Sequence, residues 1–276
     1  ELREKTGLGL MDCKKALEEV NGDIDLAIEE LRKSSGLKAS KKSNRSAADG
    51  LIGIKSSEGK AFMVEINCET DFVARDNLFN LFTQEVLETI SSNRNKSLEE
   101  LLEEGIEEKR EKLVQKLGEN IVVRRIAGSE DSADSSGVYL HSNNKIGAIV
   151  SLKGGTEEIA KDIAMHAAAT DPMSILPSDI PQEVVEKERE IYKAQSEESG
   201  KPEDIVKKMI EGKIRKFLSE VSLTEQDFVK DPSIKINDLL KDNNASIVGF
   251  TRFEVGEGIE VEKVDFASEV MSQIEG

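Results

Sequence analysis

Two histidines and two cysteines set the limits of covalent chemistry in this chain. His141 and His166 stand in separate segments, so they cannot form the paired-histidine zinc motif of a single helix. With a carboxylate partner in a concave pocket, His141 could serve a hydrolytic site. It ends a strand pattern beside the polar turn Ser142-Asn143-Asn144, and reads equally as a contact residue or as a merely exposed one. His166 lies in Met165-His166-Ala167-Ala168-Ala169, a helical stretch of small residues, where packing accounts for it. Cys13 and Cys68 fall in segments that read as separate domains, so no paired-cysteine site arises and a disulfide framework is not expected. Cys68 alternates with Val64 and Ile66 and reads as a core thiol with nothing nearby to lower its pKa.

A phosphate loop fits no better. Five residues separate Gly53 from Gly59, Lys60 is followed by Ala61 where Ser or Thr is needed, and a strand pattern follows where a helix should begin. A hairpin turn is the simpler reading. The pairs Gly7/Gly9 and Gly256/Gly258 have no third glycine at dinucleotide spacing. No resident cofactor or metal is expected. The segment that stands out is Glu69-Thr70-Asp71-Phe72-Val73-Ala74-Arg75-Asp76, a connection between a strand and a helix that places an aromatic ring beside a carboxylate. Two readings stay open. Thr70 or Asp71 could cap a helix while Phe72 turns into the core, or Phe72 could project as a wedge into a partner with Asp71 making a polar contact.

The elements that would position these residues alternate helical and strand periods. Residues 1–32 read as three short helices. Leu2–Thr6 is followed by a helix capped at Asp12 with Cys13, Ala16, Leu17 and Val20 on one face. A third is capped at Asp23 and carries Ile24, Ala27, Ile28 and Leu31. The lysine- and serine-rich stretch over 33–50 has no apolar period and reads as a flexible linker, with 37–50 as its minimum extent. Leu51–Lys55 and Phe62–Cys68 then read as strands, the second with one buried face. Helices are expected over 77–90 and 98–117, the latter ended by Gly118, and a strand over 121–126. The second half repeats the plan: a hairpin of 138–141 and 145–152, a helix over 156–169, and a closing strand over 246–255. Helices over 181–199 and 202–221, each opened by proline, form an inserted antiparallel hairpin turning at Ser199-Gly200. Short helices follow at 236–240 and 266–274. The fold class is therefore α+β: a small helical head over 1–36, a core subdomain over 51–130, and a second over 131–180 and 222–262. The hairpin occupies 181–221, and a terminal helix lies within 263–276.

The formal charge of −17 (38 basic against 55 acidic residues) argues against direct nucleic-acid binding and suits a partner with a basic surface. No signal-peptide pattern and no apolar run of roughly 20 residues occurs, so the expectation is a cytoplasmic chain with no membrane contact. The hairpin has more apolar residues than two facing helices use, among them Val184, Val185, Ile191, Ile205, Met209, Ile214 and Phe217. Self-association through it is thus a second partner expectation. On these features alone the leading function is an interaction scaffold, ahead of a hydrolase built on His141. An RNA-binding role for the linker lysines ranks below both.

A colinear series of motifs sharpens this. Leu2–Gly36 (LREKTGLGLMDCKKALEEVNGDIDLAIEELRKSSG) closely resembles the ubiquitin-associated-like head of the elongation factor Ts family. Glu65–Asp76 (EINCETDFVARD) resembles that family's second signature. Lys116–Arg125 (KLGENIVVRR), Ile163–Ala169, Ser199–Phe217 and Gly249–Glu260 (GFTRFEVGEGIE) follow in family order. The resemblance implies a guanine-nucleotide exchange factor for elongation factor Tu that acts by binding, not as an enzyme. It also implies that the Asp71-Phe72 pair enters the partner's nucleotide domain and disturbs its Mg²⁺ site, with Thr70 and Val73 completing the loop. Further contacts would fall on Leu117, Gly118 and His141 in the core, and on Leu2, Leu10 and Met11 in the head. Leu10 and Met11 are expected on the turn between the first two helices, exposed until a partner covers them. Some relatives carry Met where this chain has Lys230, so the apolar contact expected of the loop Phe228-Val229-Lys230 is not carried over to that position.

Overall fold

The computed structural model describes residues 1–57, 59–197 and 202–260. The expected turn at Ser199-Gly200 and the expected terminal helix over 266–274 lie outside them. The chain divides into two compact units. Of the described residues, the first contains 1–52, 64–125 and 254–260, and the second contains 53–63 and 126–253. The architecture is α+β, with small antiparallel sheets and a helical head.

In the first unit the head is three helices, α1 (Leu2–Thr6), α2 (Leu10–Glu19) and α3 (Ile24–Lys42). Leu2, Leu8, Cys13, Ala16, Ala27 and Leu31 form its core. Asp23 caps α3 as its position before the apolar period predicts, accepting from the N–H groups of Asp25 and Leu26, both at 3.0 Å. Asp12 does not cap α2. That helix starts two residues earlier, after an extended Gly9, and the Asp12 carboxylate pairs instead with Lys38 at 2.8 Å. The stretch over 33–42 is not a flexible linker: α3 runs through it to Lys42. Its buried side carries only small residues, which allows a close approach to a second helix, α7 (Glu107–Leu117), while Leu37 faces solvent. Ser35 and Ala39 are buried, and Arg32 reaches Glu108 at 2.8 Å. The Ser34 and Ser35 hydroxyls donate back to Leu31 O and Arg32 O, so neither is left unsatisfied.

Strands β1 (Asp49–Ser57), β2 (Lys60–Cys68) and β3 (Ile121–Gly128) make a sheet in the order β1-β2-β3. The alternation in β2 suggests one buried face, but both faces are buried. Met63, Glu65 and Asn67 are as inaccessible as Phe62, Val64 and Ile66. Around Glu65 the second face is covered by chain that follows the last strand. Glu65 Oε1 accepts from Gly256 N at 2.9 Å, from Asn67 Nδ2 at 3.0 Å and from Arg124 at 3.0 Å, and Oε2 accepts from Arg125 at 2.5 Å. Arg125 continues to Glu257 at 3.0 Å.

After β2 come α4 (Asp71–Ala74) and α5 (Asn77–Ser92), the latter burying Phe79, Phe82, Val86 and Ile90. The single helix expected over 98–117 is instead α6 (Leu98–Leu101), a wide π turn and α7. The break falls at Gly105, whose φ of 117° no helix accommodates.

The second unit contains β4 (Ser135–Leu140) and β5 (Ile146–Lys153), antiparallel in register from Ser135 opposite Leu152 to Leu140 opposite Gly147. β8 (Ser246–Glu254) lies on the far side of β5. Both three-stranded sheets thus have a hairpin with the returning strand beside its second strand. Helix α8 (Glu157–Thr170) lies on this sheet. A Cβ added to Gly137 would sit about 2 Å from the backbone of Ala160 and Lys161, so only glycine permits that approach, and the helix face is alanine for the same reason. Helices α9 (Gln182–Glu197) and α10 (Glu203–Val221) pack together, as expected of an inserted hairpin. A two-stranded ribbon, β6 (Asp227–Phe228) with β7 (Asp231–Lys235), precedes α11 (Ile236–Asp242). The ribbon is not anticipated, because two residues on one side and a proline on the other leave no strand period to read.

Burial alone would push the Glu65 carboxyl up. The Gly256 amide, Arg124, Asn67 and Arg125 outweigh it and hold the group below the usual carboxylate range. A depressed folded pKa means stabilisation that is complete above the ordinary glutamate value of about 4.3 and lost as pH falls through the folded value. Glu65→Gln should therefore cost about 3 kcal/mol at neutral pH, the low end for breaking a buried pair because both arginines keep some water. Urea midpoints of wild type and variant should converge as the solution is acidified; parallel curves across the range would contradict the assignment.

Candidate functional site

The segment after β2 is built from two consecutive helix starts. Thr70 is the N-cap of α4, its hydroxyl accepting from Val73 N at 3.5 Å, and Asp76 is the N-cap of α5, accepting from Leu78 N at 2.7 Å. Between them α4 is a single turn. Its buried side is Val73 and Ala74, and its other side is Phe72, 81% exposed. The capping half of one reading therefore holds, while the ring does not turn inward. Asp71 pairs with Arg75 at 2.8 Å, one turn on. Both side chains are well hydrated, so the pair is weak and a partner can replace it readily.

Phe72 owes its placement to backbone anchors. Glu119 Oε2 accepts from Glu69 N at 3.1 Å and from Thr70 N at 3.0 Å, and its Oε1 accepts from the Thr70 hydroxyl at 2.6 Å. In return Glu69 Oε1 accepts from Asn120 N at 2.6 Å, and Asn120 Nδ2 donates to Arg45 O at 2.8 Å. The Cys68 thiol donates to Thr70 O at 3.1 Å, which gives this buried cysteine a structural task. Gly118 makes the junction turn. It closes α7 in the left-handed conformation (φ 80°), its N–H bonding Val114 O, and so delivers Glu119 beside the 69–70 backbone. Leu117 is half-buried and Gly118 exposed at this junction. Thr70, Asp71, Phe72, Val73, Leu117 and Gly118 are thus brought together in the first unit.

The head belongs to the same unit but treats its three expected contact residues differently. Leu10 and Met11 are 67% and 73% exposed. They open α2 rather than forming the turn before it, because Gly7 and Gly9 already supply that turn. Leu2 is 3% exposed and packs in the head core, so its side chain is not presented to a partner. His141 lies in the second unit, in the exposed turn after β4, where its Nδ1 bonds Asn143 Oδ1 at 2.9 Å. That amide occupies the position a catalytic carboxylate would need. His166 is buried: Nδ1 accepts from Val229 N at 3.2 Å and Nε2 donates to Gln226 at 2.9 Å, and burial pulls its pKa down. It holds the ribbon turn in which Val229 is half-exposed and Lys230 pairs with Asp162 at 2.9 Å. No group of His, Cys, Asp and Glu suited to a metal ion occurs among the described residues. No helix among them is long and apolar enough to cross a membrane.

Glu119 lies within the run Lys116–Arg125 but carries no motif of its own. The available signal is an acidic residue directly after a helix-ending glycine and two residues before a strand. Leu78 and Leu81, 40% and 46% exposed, share one face of α5.

The family model for elongation factor Ts matches residues 69–257, more than half of the chain. The chain belongs to the elongation factor Ts family. Its relatives match over nearly the whole length. It is 54% identical over 278 residues to Elongation factor Ts of Hahella chejuensis, covering 100% of this chain and 96% of that one. It is 55% identical over 272 residues to that of Marinobacter nauticus, covering 98% and 93%. It is 51% identical over 282 residues to that of Francisella tularensis subsp. novicida, covering 100% and 96%. Membership makes this a translation elongation factor, and the matched region includes Thr70, Asp71, Phe72 and Val73.

Two phenylalanines seven residues apart offer a test of the site's geometry. Phe72→Ala should shift stability by no more than about 0.5 kcal/mol, as at ordinary surface positions. Phe79→Ala, at a fully buried ring, should cost about 3–5 kcal/mol. Denaturant titration of both variants reads this directly, and a large loss at Phe72 would mean that the ring is packed after all.

Proposed function

We propose that this chain promotes release of GDP from elongation factor Tu by binding it, without covalent chemistry of its own. The observation that carries the reading is Phe72. A ring 81% in water, on a one-turn helix whose backbone is anchored by Glu119, is suited to entering a second protein. On this reading Phe72 and Asp71 approach the partner's Mg²⁺ and phosphate site, while Thr70 and Val73 hold the turn that presents them. Leu117 and Gly118 add contacts at the neighbouring junction. His141 adds one from the second unit, and Leu10 and Met11 add apolar area from the head. Leu2 supports the head from within. Self-association through α9 and α10 belongs to the same reading, supported by Ile191 and Ile205, 40% and 48% exposed, and so does a cytoplasmic location.

The physics is linkage. A factor that binds the empty partner better than the GDP form weakens GDP by the same ratio. Each tenfold requires about 1.4 kcal/mol of differential binding. Burying one phenylalanine supplies about 2 kcal/mol from apolar area. A single wedge therefore accounts for little more than one decade, and the head and core contacts must supply the rest.

Release of a fluorescent GDP from purified elongation factor Tu tests the reading. The wild-type chain should accelerate release strongly, and Asp71→Ala/Phe72→Ala should bind without accelerating it. Binding by the wild type with no change in release would leave the chain a scaffold. The head is expected to supply affinity rather than rate. Because α3 carries on from the head to pack against α7, point changes are cleaner than truncation. Leu10→Ala/Met11→Ala should raise the half-saturating concentration about tenfold, the equivalent of about 1.4 kcal/mol, and leave the maximal rate nearly unchanged. A lowered maximal rate at unchanged half-saturation would instead assign the head to release itself.

A further inference from the structure

The geometry points to Glu119 as a positioning residue for nucleotide release, one that sets the direction of Phe72 without touching the partner; this rests on the exchange reading above. An exposed ring has no packing to orient it, so its direction is inherited from its backbone. α4 is one turn long and cannot hold itself, because a lone turn has too few internal bonds to be stable. Its N-terminal side is held by three hydrogen bonds to one carboxylate. Two are from the N–H groups of Glu69 and Thr70, and the third is from the Thr70 hydroxyl at 2.6 Å. That third bond has a second effect. By accepting the hydroxyl's hydrogen bond, Glu119 leaves the Thr70 oxygen's lone pairs free to accept from Val73 N, which is the cap of α4. Charge assistance makes these stronger than neutral bonds. The carboxylate itself stands on the left-handed Gly118 turn, and the reverse bond from Asn120 N to Glu69 locks the same two segments a second time. A chain is thus complete from the end of α7 through Glu119 and Thr70 to the first turn that carries Phe72.

The test compares the full chain with Glu119→Ala, Glu119→Gln, Phe72→Ala and Glu119→Ala/Phe72→Ala. Release of fluorescent GDP from elongation factor Tu is titrated to saturation, and amide hydrogen exchange is followed over 69–74. Both Glu119 variants should lower the maximal release rate by about tenfold or more, as displacement of a reacting group by around an ångström does. Half-saturation should stay near wild type, and the 69–74 amides should exchange faster. Adding Phe72→Ala to Glu119→Ala should lower the rate no further than Phe72→Ala alone, since both changes remove one function. Glu119→Gln keeps the side chain's shape and carries the test should Glu119→Ala fail to fold. Three results overturn the proposal: a wild-type maximal rate in both variants, losses that add in the double variant, or a loss confined to half-saturation. Should Phe72→Ala itself release GDP as fast as wild type, the loop reading falls first and this proposal with it.

Discussion

An aromatic ring held in water is unstable in direction as well as in free energy, and the region around Phe72 is arranged to meet that constraint. Packing cannot orient the ring, so hydrogen bonds to the backbone beneath it must. Two acidic side chains do this by exchange: Glu119 takes the amides of residues 69 and 70, and Glu69 takes the amide of residue 120. Each carboxylate also satisfies backbone N–H groups that the end of β2 and the start of β3 would otherwise leave open. Asn120 extends the anchor to the chain just beyond α3 through Arg45 O. The end of the long head helix, the α4 turn and the α7–β3 junction are thereby joined within one unit.

Close approach is the second recurring device. α3 meets α7 through Ser35 and Ala39, and α8 meets β4 over Gly137 through a row of alanines. Small residues bury little apolar area each, but they bring backbones near enough for many weak contacts at once. In a chain with no tryptophan and two tyrosines, these close approaches stand beside a core whose bulky aromatics are phenylalanines such as Phe79 and Phe82. Glu65 is the exception, a charge with no exposed surface that is tolerated because two arginines, an amide and a side-chain carboxamide surround it.

The proposed exchange asks this chain to make or break no covalent bond. Work done on another protein's nucleotide needs differential affinity, which is distributed over area, and a rigid point of entry. The head offers Leu10 and Met11 as area, and the anchored turn offers Phe72 as the point. His141, exposed and bonded to an amide, suits a contact better than a reaction.

Periodicity and punctuation were enough to read much of the order of elements, the cap at Asp23, the end of α7 at Gly118, the hairpin-and-returning-strand plan of both halves and the two packed helices α9 and α10, because those signals are local. The motif series was enough for the family. The rest depends on partners distant in sequence. Residues 33–42 look like a linker until α7 is present to cover Ser35 and Ala39. Glu65 looks like the wet face of a strand until residues 256 and 257 return to cover it. Leu2 and Phe72 are both apolar residues near helix starts, and nothing local distinguishes the one that is buried from the one that is exposed. Glu119 is one acidic residue among many until the left-handed turn at Gly118 aims it at residues 69 and 70. Local propensity is written along the chain, whereas burial and the destination of a side chain are decided by contacts that exist only once the chain has folded.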